Sequence, residues 1–290
     1  MSPAIRLIKR RYLGWVLKSI AGLMPMGVCG RAFFRLYRDH DLPEFLFPYE
    51  PDYDVLASVT HSQIRQFESR RKLAAGRKRF LVCGRLVDVK RVDLAIEAFA
   101  QVSAALPDWD LVIAGAGPLR EKLEFLVPPD LTQRVKFLGF MQFEETAACF
   151  RACQVLVHAS EFEPWGLVIN EAVAAGMAVI ATAVTGAAVE LVSHRRNGLL
   201  VSPGSADALV DAMMEIGMGD TCLKMQAASA QALSDWRRTA DPVEGFRQAL
   251  HHFGVTPAAP QTFDSRKTDE PQPDWRSDLP IEGLDRIPTA

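Results

Sequence analysis

Residues 160–190 read Ser-Glu-Phe-Glu-Pro-Trp-Gly-Leu-Val-Ile-Asn-Glu-Ala-Val-Ala-Ala-Gly-Met-Ala-Val-Ile-Ala-Thr-Ala-Val-Thr-Gly-Ala-Ala-Val-Glu, and this stretch decides the fold. Pro164 and Gly166 break the chain before an apolar run whose members recur at helical spacing, and Gly176 ends that run. Residues 178–182 form a short apolar segment of the kind found in strands that are buried on both faces. The stretch therefore predicts a loop, a helix and a strand, which is the unit from which parallel α/β sheets are built.

The start of the predicted helix is suited to binding a phosphate. The backbone amides of Gly166, Leu167 and Val168 would lack partners inside the helix, and the helix dipole adds positive potential there. Glu163 lies in the preceding loop, and Glu171 lies more than a turn into the helix, where a carboxylate could accept both hydroxyls of a ribose. A phosphate site between two such carboxylates indicates a sugar nucleotide. The alternative is a surface helix with two solvated glutamates.

The segment Glu-Pro-Trp-Gly-Leu-Val-Ile-Asn-Glu-Ala, which begins at Glu163, resembles the Glu-x7-Glu signature of retaining GT-B glycosyltransferases of glycosyltransferase family 4. These enzymes are also called glycosyl transferases group 1. Four other stretches resemble motifs of the family in the same order along residues 35–250. They are Gly84-Arg85-Leu86 with Lys90, Ala114-Gly115-Ala116-Gly117-Pro118, Val135-Lys136-Phe137-Leu138-Gly139 and Asn197-Gly198-Leu199-Leu200-Val201.

This resemblance implies a role for each candidate site residue. Arg85 and Lys90 would stabilise the charge on the leaving diphosphate, Glu163 would contact the donor sugar, and Glu171 would hold the ribose. The other implied donor-binding residues are Gly84, Gly115, Gly117, Phe137, Leu138, Gly166, Leu167 and Val168. The family departs from this chain after the lysine, where it often has glycine and this chain has Arg91. The alternative for the two cations is simple exposure on a loop.

The resemblance also implies that neither a metal ion nor a cofactor is needed. In the family, retention is usually attributed to a front-face substitution in which the leaving phosphate oxygen takes the proton of the acceptor, so Glu163 is not expected to be a nucleophile. Two Asp-x-Asp patterns, at residues 52–54 and 108–110, are interpreted as structural. Arg120 stands where a dinucleotide fingerprint needs glycine, which disfavours a nicotinamide site. His158 ends a predicted strand, and we interpret it as a packed histidine.

Composition excludes several classes of protein. The 290 residues are 49% hydrophobic with a formal net charge of −2, which favours a sizeable core and gives no support for broad binding to nucleic acid. The five cysteines are scattered, and we expect reduced thiols in a cytoplasmic protein rather than disulfides or zinc ligands. No apolar run has the length of a membrane span.

Alternating apolar strands and amphipathic helices predict a doubly wound parallel sheet, Rossmann-like, as in the C-terminal half of a GT-B fold. The predicted strands are residues 80–83, 111–114, 135–138, 155–157 and 178–182. The predicted helices include 92–106, 119–126, 143–151, 206–217, 223–233 and a returning helix at 242–253. We expect ligands at the carboxyl ends of the strands, where the motif loops fall.

Three segments are predicted. Residues 1–55 are interpreted as a helical remnant of an N-terminal acceptor domain with the interdomain crossing. Residues 56–253 would form the nucleotide-sugar-binding domain, and residues 254–290 a disordered, Pro-rich tail. The basic, apolar residues 1–23 favour a helix that packs on protein over one that lies on an anionic membrane surface. The basic run at 65–79 is interpreted as a solvated helix end and loop, with a membrane-facing patch as the alternative.

These observations together predict the donor-binding half of a retaining hexosyltransferase. The donor would be a nucleotide-diphosphate sugar and the acceptor a glycan or a lipid, in polysaccharide or glycolipid biosynthesis. Most of the acceptor-binding half is not represented, so three alternatives stay open: a fragment, a misassigned start, or one half of a split enzyme whose partner is a separate N-terminal-domain subunit. Two alternatives stay open: a non-catalytic nucleotide-sugar-binding subunit and a GT-B epimerase. Neither the base, the sugar, the acceptor nor the linkage follows from the sequence.

Overall fold

Six strands form a parallel sheet in the computed structural model, which describes residues 3–38 and 40–255. They are β1 (Lys78–Cys83), β2 (Trp109–Ala114), β3 (Val135–Gly139), β4 (Val155–His158), β5 (Ala178–Thr182) and β6 (Gly198–Val201). Their order across the sheet is β3-β2-β1-β4-β5-β6. The chain thus builds outward from β1 in one direction and then from β4 in the other, which confirms the predicted doubly wound sheet and puts its switch point between β1 and β4.

The sixth strand was not predicted, since β6 has only four residues and begins with a glycine. That glycine allows the strand to pair closely with β5, because a Cβ on Gly198 would lie 2.2 Å from the carbonyl oxygen of Val179. The other strands are apolar runs that are buried along most of their length, as expected for a sheet covered on both faces.

Helices occupy the connections between the strands and both ends of the described chain. They are α1 (Pro3–Lys18), α2 (Val28–Arg35), α3 (Tyr53–Ser58), α4 (His61–Arg70), α5 (Val92–Val102), α6 (Arg120–Phe125), α7 (Phe143–Ala152), α8 (Leu167–Ala174), α9 (Gly186–Leu191), α10 (Ala206–Gly217), α11 (Thr221–Arg237) and α12 (Pro242–His252). Short 3-10 turns lie at Asp88–Lys90 and Pro129–Leu131. Helix α5 ends four residues before the predicted limit of 106, because the chain turns at Ser103, whose hydroxyl donates to the carbonyl of Ala100.

The core under α5 and α10 is centred on Trp109. Its ring stacks on Phe80 with 4.3 Å between centroids, and its indole N–H donates to the carbonyl of Gly217 at 3.2 Å. A Cβ on Gly217 would lie 2.5 Å from Leu106, so glycine lets the end of α10 approach this ring. The stacking fixes the first strand against the second, and with it the loops that follow both.

The prediction that residues 65–79 are solvated is wrong for Arg79, the last of them. Arg79 is only 2% exposed because β1 begins at Lys78 and carries it into the sheet. Its guanidinium donates to Glu68 at 2.7 Å and to the carbonyls of Ala152 and Ala74 at 2.7 and 2.6 Å. A buried charge needs such partners, so Arg79 is a structural link between β1 and its neighbours.

The described residues divide into two compact units. One is Pro51–Leu233 and holds the sheet. The other comprises the residues up to Glu50 together with those from Ser234 onward. The predicted limits at 55/56 and 253/254 stay predictions, and the predicted tail lies outside the described residues from 256 on.

In the compact unit that contains both ends of the described chain, the returning helix α12 packs against the N-terminal segment. A Cβ on Gly245 would lie 1.7 Å from the carbonyl oxygen of Leu46, so only glycine permits this approach. The Phe45 ring packs on His252 and Phe253, with centroids 5.4 and 6.0 Å apart.

Helix α1 buries only part of its apolar surface against the described residues. Leu17 is 3% exposed, whereas Ile8 and Trp15 are 67% and 66% exposed. None of the described helices is both long and apolar enough to cross a membrane.

Candidate functional site

The candidate site is built from the loops that follow the strands at the carboxyl edge of the sheet. The first two loops are hydrogen-bonded side by side: the amide of Gly84 donates to Ala114 and that of Leu86 to Ala116, both at 3.0 Å. A Cβ on Gly115 would lie 1.9 Å from the Gly84 oxygen, and one on Gly117 would lie 2.3 Å from the Leu86 oxygen. Gly115 and Gly117 therefore allow the backbones of these two loops to touch. Their role is to shape the site.

The predicted phosphate helix is α8. Gly166 precedes it in a left-handed conformation with φ 89° and ψ 67°. Among the described residues, the amides of Gly166, Leu167 and Val168 donate to no acceptor. These three donors lie together at the positive end of the helix, which is the arrangement that binds anionic oxygens.

The loop before α8 is held in place by the start of α9. The amide of Gly186 donates to the carbonyl of Glu163 at 3.2 Å, and that of Ala187 to Trp165 at 2.7 Å. A Cβ on Gly186 would lie 2.3 Å from the carbonyl oxygen of Pro164. The backbone of Glu163 is thus held in place by the start of α9.

Lys90 and Glu163 form an ion pair. Lys90 ends the 3-10 turn after β1, and the side chains of Lys90 and Glu163 are 24% and 18% exposed. Arg85 comes earlier in the same loop, is exposed, and makes no ion pair with any residue in the described ranges. The structure therefore brings one of the two predicted cations to Glu163 and leaves the other open to solvent.

A second pair of links joins the same two loops. Arg91 has φ 47° and ψ 45°, and its guanidinium pairs with Glu161 and, at 3.1 Å, with Asp93. The hydrogen bond to Asp93 and that to Glu161 raise the pKa of Arg91, against a smaller lowering by burial. The amide of Glu161 donates to the carbonyl of Val89 at 2.9 Å.

Sequence reasoning missed the role of Arg91 and Glu161. A signal was available, because the family often has glycine at the position of Arg91, and a left-handed backbone is the conformation that glycine adopts without strain. Glu161 stands two residues before Glu163, in the same loop after β4.

Glu171 lies on α8 and is partly buried. Burial raises the pKa of its carboxyl to about 7. Burial also raises the pKa of the Cys83 thiol, at the end of β1, to about 12, and the charge of Glu171 contributes to this rise. A carboxylate in such a shielded place forms strong hydrogen bonds with hydroxyl donors when it is ionised.

His158 ends β4 and is 4% exposed, as the interpretation of a packed histidine requires. It also lines a narrow crevice with Gly84, Arg85 and Lys90. Burial, and then the charge of Lys90, lower the pKa of its imidazole to about 3, so the ring is neutral at physiological pH. Its Nε2 atom is buried without a hydrogen-bond partner in the described part of the chain.

Phe137 and Leu138 stand apart from this cluster. They belong to β3, the edge strand, which is two strands and roughly 10 Å from β1. The carbonyl of Leu138 accepts a hydrogen bond from Arg71 at 3.2 Å, and the guanidinium of Arg120 lies 6.0 Å from the Phe137 ring centroid.

The Asp-x-Asp patterns lie elsewhere and have structural partners. Asp110 pairs with Arg77 at 2.7 Å near the amino end of β2, and Asp52 caps α3 by accepting from the amides of Asp54 and Val55. The described residues contain no group of three or more histidines, cysteines or acidic side chains arranged to hold a metal ion.

Comparison with known proteins agrees with this geometry. The family model described as glycosyl transferases group 1 matches residues 64–230. An exopolysaccharide phosphotransferase of Streptomyces coelicolor is 33% identical over 169 residues, which are 58% of this chain and 18% of that protein. A D-inositol 3-phosphate glycosyltransferase of Pseudarthrobacter chlorophenolicus is 33% identical over 194 residues, which are 63% of this chain and 46% of that protein.

The crystal structure of Anabaena HepE in complex with UDP and glucose superposes with a TM-score of 0.67 at 22% identity, covering 81% of this chain and 63% of that one. At this identity the likeness is one of fold. The chain spans less than half the length of both curated relatives.

Proposed function

The chain belongs to the glycosyl transferases group 1 and has the Rossmann-like fold of GT-B glycosyltransferases, and from this premise we propose that it is the donor-binding half of a retaining hexosyltransferase of glycosyltransferase family 4. One observation carries the proposal. The unpaired amides of residues 166–168, the Lys90–Glu163 pair and the half-buried Glu171 all lie around the start of α8 and the end of β1.

The donor's diphosphate occupies the amides at the start of α8, with Arg85 and Lys90 as its cations. In the reaction, the bond between the anomeric carbon and the phosphate oxygen breaks as the acceptor hydroxyl oxygen bonds to that carbon. The hydroxyl proton passes to the leaving phosphate oxygen. Negative charge grows on the diphosphate, and fixed cations and amides in a shielded site stabilise this charge most at the moment of cleavage.

The nucleoside extends from the diphosphate along the edge of the sheet. Glu171 accepts the ribose hydroxyls, Glu163 contacts the donor sugar, and the backbone near Phe137 and Leu138 faces the base. HepE, which shares the fold, was crystallised with UDP and glucose, and a nucleoside diphosphate is therefore the probe of choice.

We propose a glycan or lipid acceptor, in polysaccharide or glycolipid biosynthesis. The acceptor site belongs to parts of such an enzyme beyond those matched here, which a separate N-terminal-domain subunit could supply. All five thiols are free, including Cys149 and Cys153, which supports the cytoplasm as the compartment. The exposed apolar side chains of α1, with basic neighbours, support a contact with the inner face of the membrane or with that subunit.

Calorimetric titration of the purified chain with UDP, GDP and ADP tests the proposal. We expect one of the three to bind, and we expect Glu171→Ala to weaken it at least about tenfold, as loss of hydrogen bonds to a charged group does. Glu97→Ala is the matched control, since Glu97 is an exposed carboxylate on α5 of the same unit. Equal affinities of Glu171→Ala and the parent chain would contradict the site.

A further inference from the structure

Lys90, one of the two cations assigned to the diphosphate, already has a partner within the chain. Lys90 pairs with Glu163, and both side chains are more than three-quarters shielded from water. Screening by solvent is weaker at such a place than at an open surface, so the attraction between the two charges is stronger. A diphosphate that binds here has to compete with a carboxylate for the same ammonium group.

The fold holds this pair together from both sides. On one side, Arg91 keeps a left-handed backbone, which is strained for a residue other than glycine, and its guanidinium pairs with Glu161 and Asp93. On the other side, Glu163 is fixed by the hydrogen bond from Gly186 and by a backbone bridge to Thr185. Strained residues persist where their surroundings determine them, so the closeness of Lys90 and Glu163 is a property of the framework.

We propose that Glu163 is an internal competitor of the donor's diphosphate for Lys90, and that the pair exchanges partners when a sugar nucleotide binds. Lys90 then turns to the diphosphate, and the carboxylate that it leaves accepts hydroxyls of the sugar. This inference rests on the proposed function. It predicts a selectivity: a nucleoside diphosphate without its sugar takes Lys90 but leaves Glu163 shielded and unpaired, which is unfavourable. A sugar nucleotide gives both charges a partner.

Replacement of Glu163 by the isosteric glutamine tests the competition. In calorimetric titrations with UDP, GDP and ADP, we expect Glu163→Gln to bind the preferred diphosphate about tenfold more tightly than the parent chain, because Lys90 is freed. Asp88→Asn is the matched control: it removes one exposed negative charge from the turn that contains Lys90 but leaves the Lys90–Glu163 pair and the contacts of Arg91 in place. A gain of less than about threefold is expected there, as for an exposed charge. If Glu163→Gln binds a diphosphate detectably and the parent chain does not, that result would also support the inference.

A cycle with Lys90 identifies the cation that is released. We expect Lys90→Met to weaken diphosphate binding, and we expect Glu163→Gln to give no gain in the Lys90→Met background, since no ammonium is left to release. Thermal unfolding checks that each variant is folded, and Glu163→Ala replaces Glu163→Gln if the latter shows no cooperative transition.

Three results would overturn the inference while leaving the donor site in place. They are Glu171-dependent binding with no gain in Glu163→Gln, an equal gain in Asp88→Asn, and a gain that persists without Lys90. If no diphosphate binds the parent chain or any folded variant, the inference and the proposed function fail together.

Discussion

Glu171 and His158 are buried by the same sheet edge, and burial moves their pKa values in opposite directions. The carboxyl of Glu171 rises from 4.5 to about 7, while the imidazole of His158 falls from 6.5 to about 3. Both shifts favour the neutral form, as desolvation does. The site therefore carries less charge than its residue types suggest, and Glu171 is ionised fully only above neutral pH.

Glu171→Gln should make the stability of the chain less dependent on pH. Between pH 4.5 and about 7 the folded chain binds a proton at Glu171 that the unfolded chain has lost, so this residue lowers stability as pH rises through that window. We expect the difference in the free energy of unfolding, variant minus parent, to rise by up to about 3 kcal/mol from acidic to mildly alkaline pH. Each unit by which the pKa of Glu171 is raised contributes about 1.4 kcal/mol to this difference. Urea unfolding at a series of pH values measures this difference, in which the contribution of His158 cancels. A difference that is constant with pH would contradict it.

At the scale of single residues, the sequence indicated which residue types the site contains but not how they pair. Lys90, Glu163 and Glu171 could be selected by motif, because their spacing along the chain is characteristic. That Lys90 meets Glu163 depends on how the loop after β1 lies beside the loop after β4, 73 positions later. The burial of Arg79 was missed for a similar reason, since a basic residue in a basic run looks solvated until its carbonyl partners are known.

At the scale of elements, the loops after β1 and β2 are packed backbone to backbone. The amide of Gly115 also donates to the carbonyl of Gly139 at 2.8 Å, which ties the loop after β2 to the end of β3. Gly115 has φ 138°, a conformation that side chains rarely adopt. The shape of this edge of the sheet thus depends on a position where no side chain fits.

Gly115→Ala should destabilise the chain and distort the site. The new Cβ would lie 1.9 Å from the Gly84 oxygen, so the two loops would have to separate, and we expect a loss of about 2–4 kcal/mol in the free energy of unfolding. Gly76→Ala is the control: Gly76 has φ 75° but nothing within 4 Å of a Cβ, so only backbone strain of about 1 kcal/mol applies. Chemical unfolding of both variants gives the comparison. Equal losses in the two would show that contact between the loops is unimportant.

Elements were predicted well where hydrophobic periodicity is strong. Helix α10 has the predicted bounds, and the predicted strands at 111–114, 155–157 and 178–182 lie within β2, β4 and β5. Helices α2 and α3 were missed, and so were β6 and α9, which are short and rich in glycine or alanine. Their stability comes from contacts with other parts of the chain, such as the pairing of Val179 with Gly198, and a local pattern does not contain that information.

At the scale of the whole molecule, both ends of the described chain belong to one compact unit, and the sheet belongs to the other. Gly245 is a position at which the backbone of α12 lies directly against that of the N-terminal segment within the first unit. This is the packing on which the connection between the chain ends depends.

Gly245→Ala should loosen α12 from the N-terminal segment. A Cβ 1.7 Å from the Leu46 oxygen cannot be accommodated without a shift of the backbone, and a cost of about 2 kcal/mol would increase the open population roughly thirtyfold. Limited proteolysis, with mass spectrometry of the fragments, should detect faster cleavage within residues 234–255. Arg247→Ala, a change at an exposed side chain of the same helix, should leave the rate unchanged. Resistance of Gly245→Ala equal to that of the parent would contradict the importance of this contact.

The pairing of β1 with β4 has a consequence for how the chain folds. It joins Phe80 to Val155, so the two halves of the sheet meet through residues that are far apart in sequence. Closing so long a loop costs entropy before any contact across it is gained, and such contacts form late on average. Lys90 and Glu163 stand on opposite sides of this seam. During synthesis, the half with β1 to β3 can assemble first, and the loops that carry Lys90 and Glu163 come together only when the second half has docked onto it.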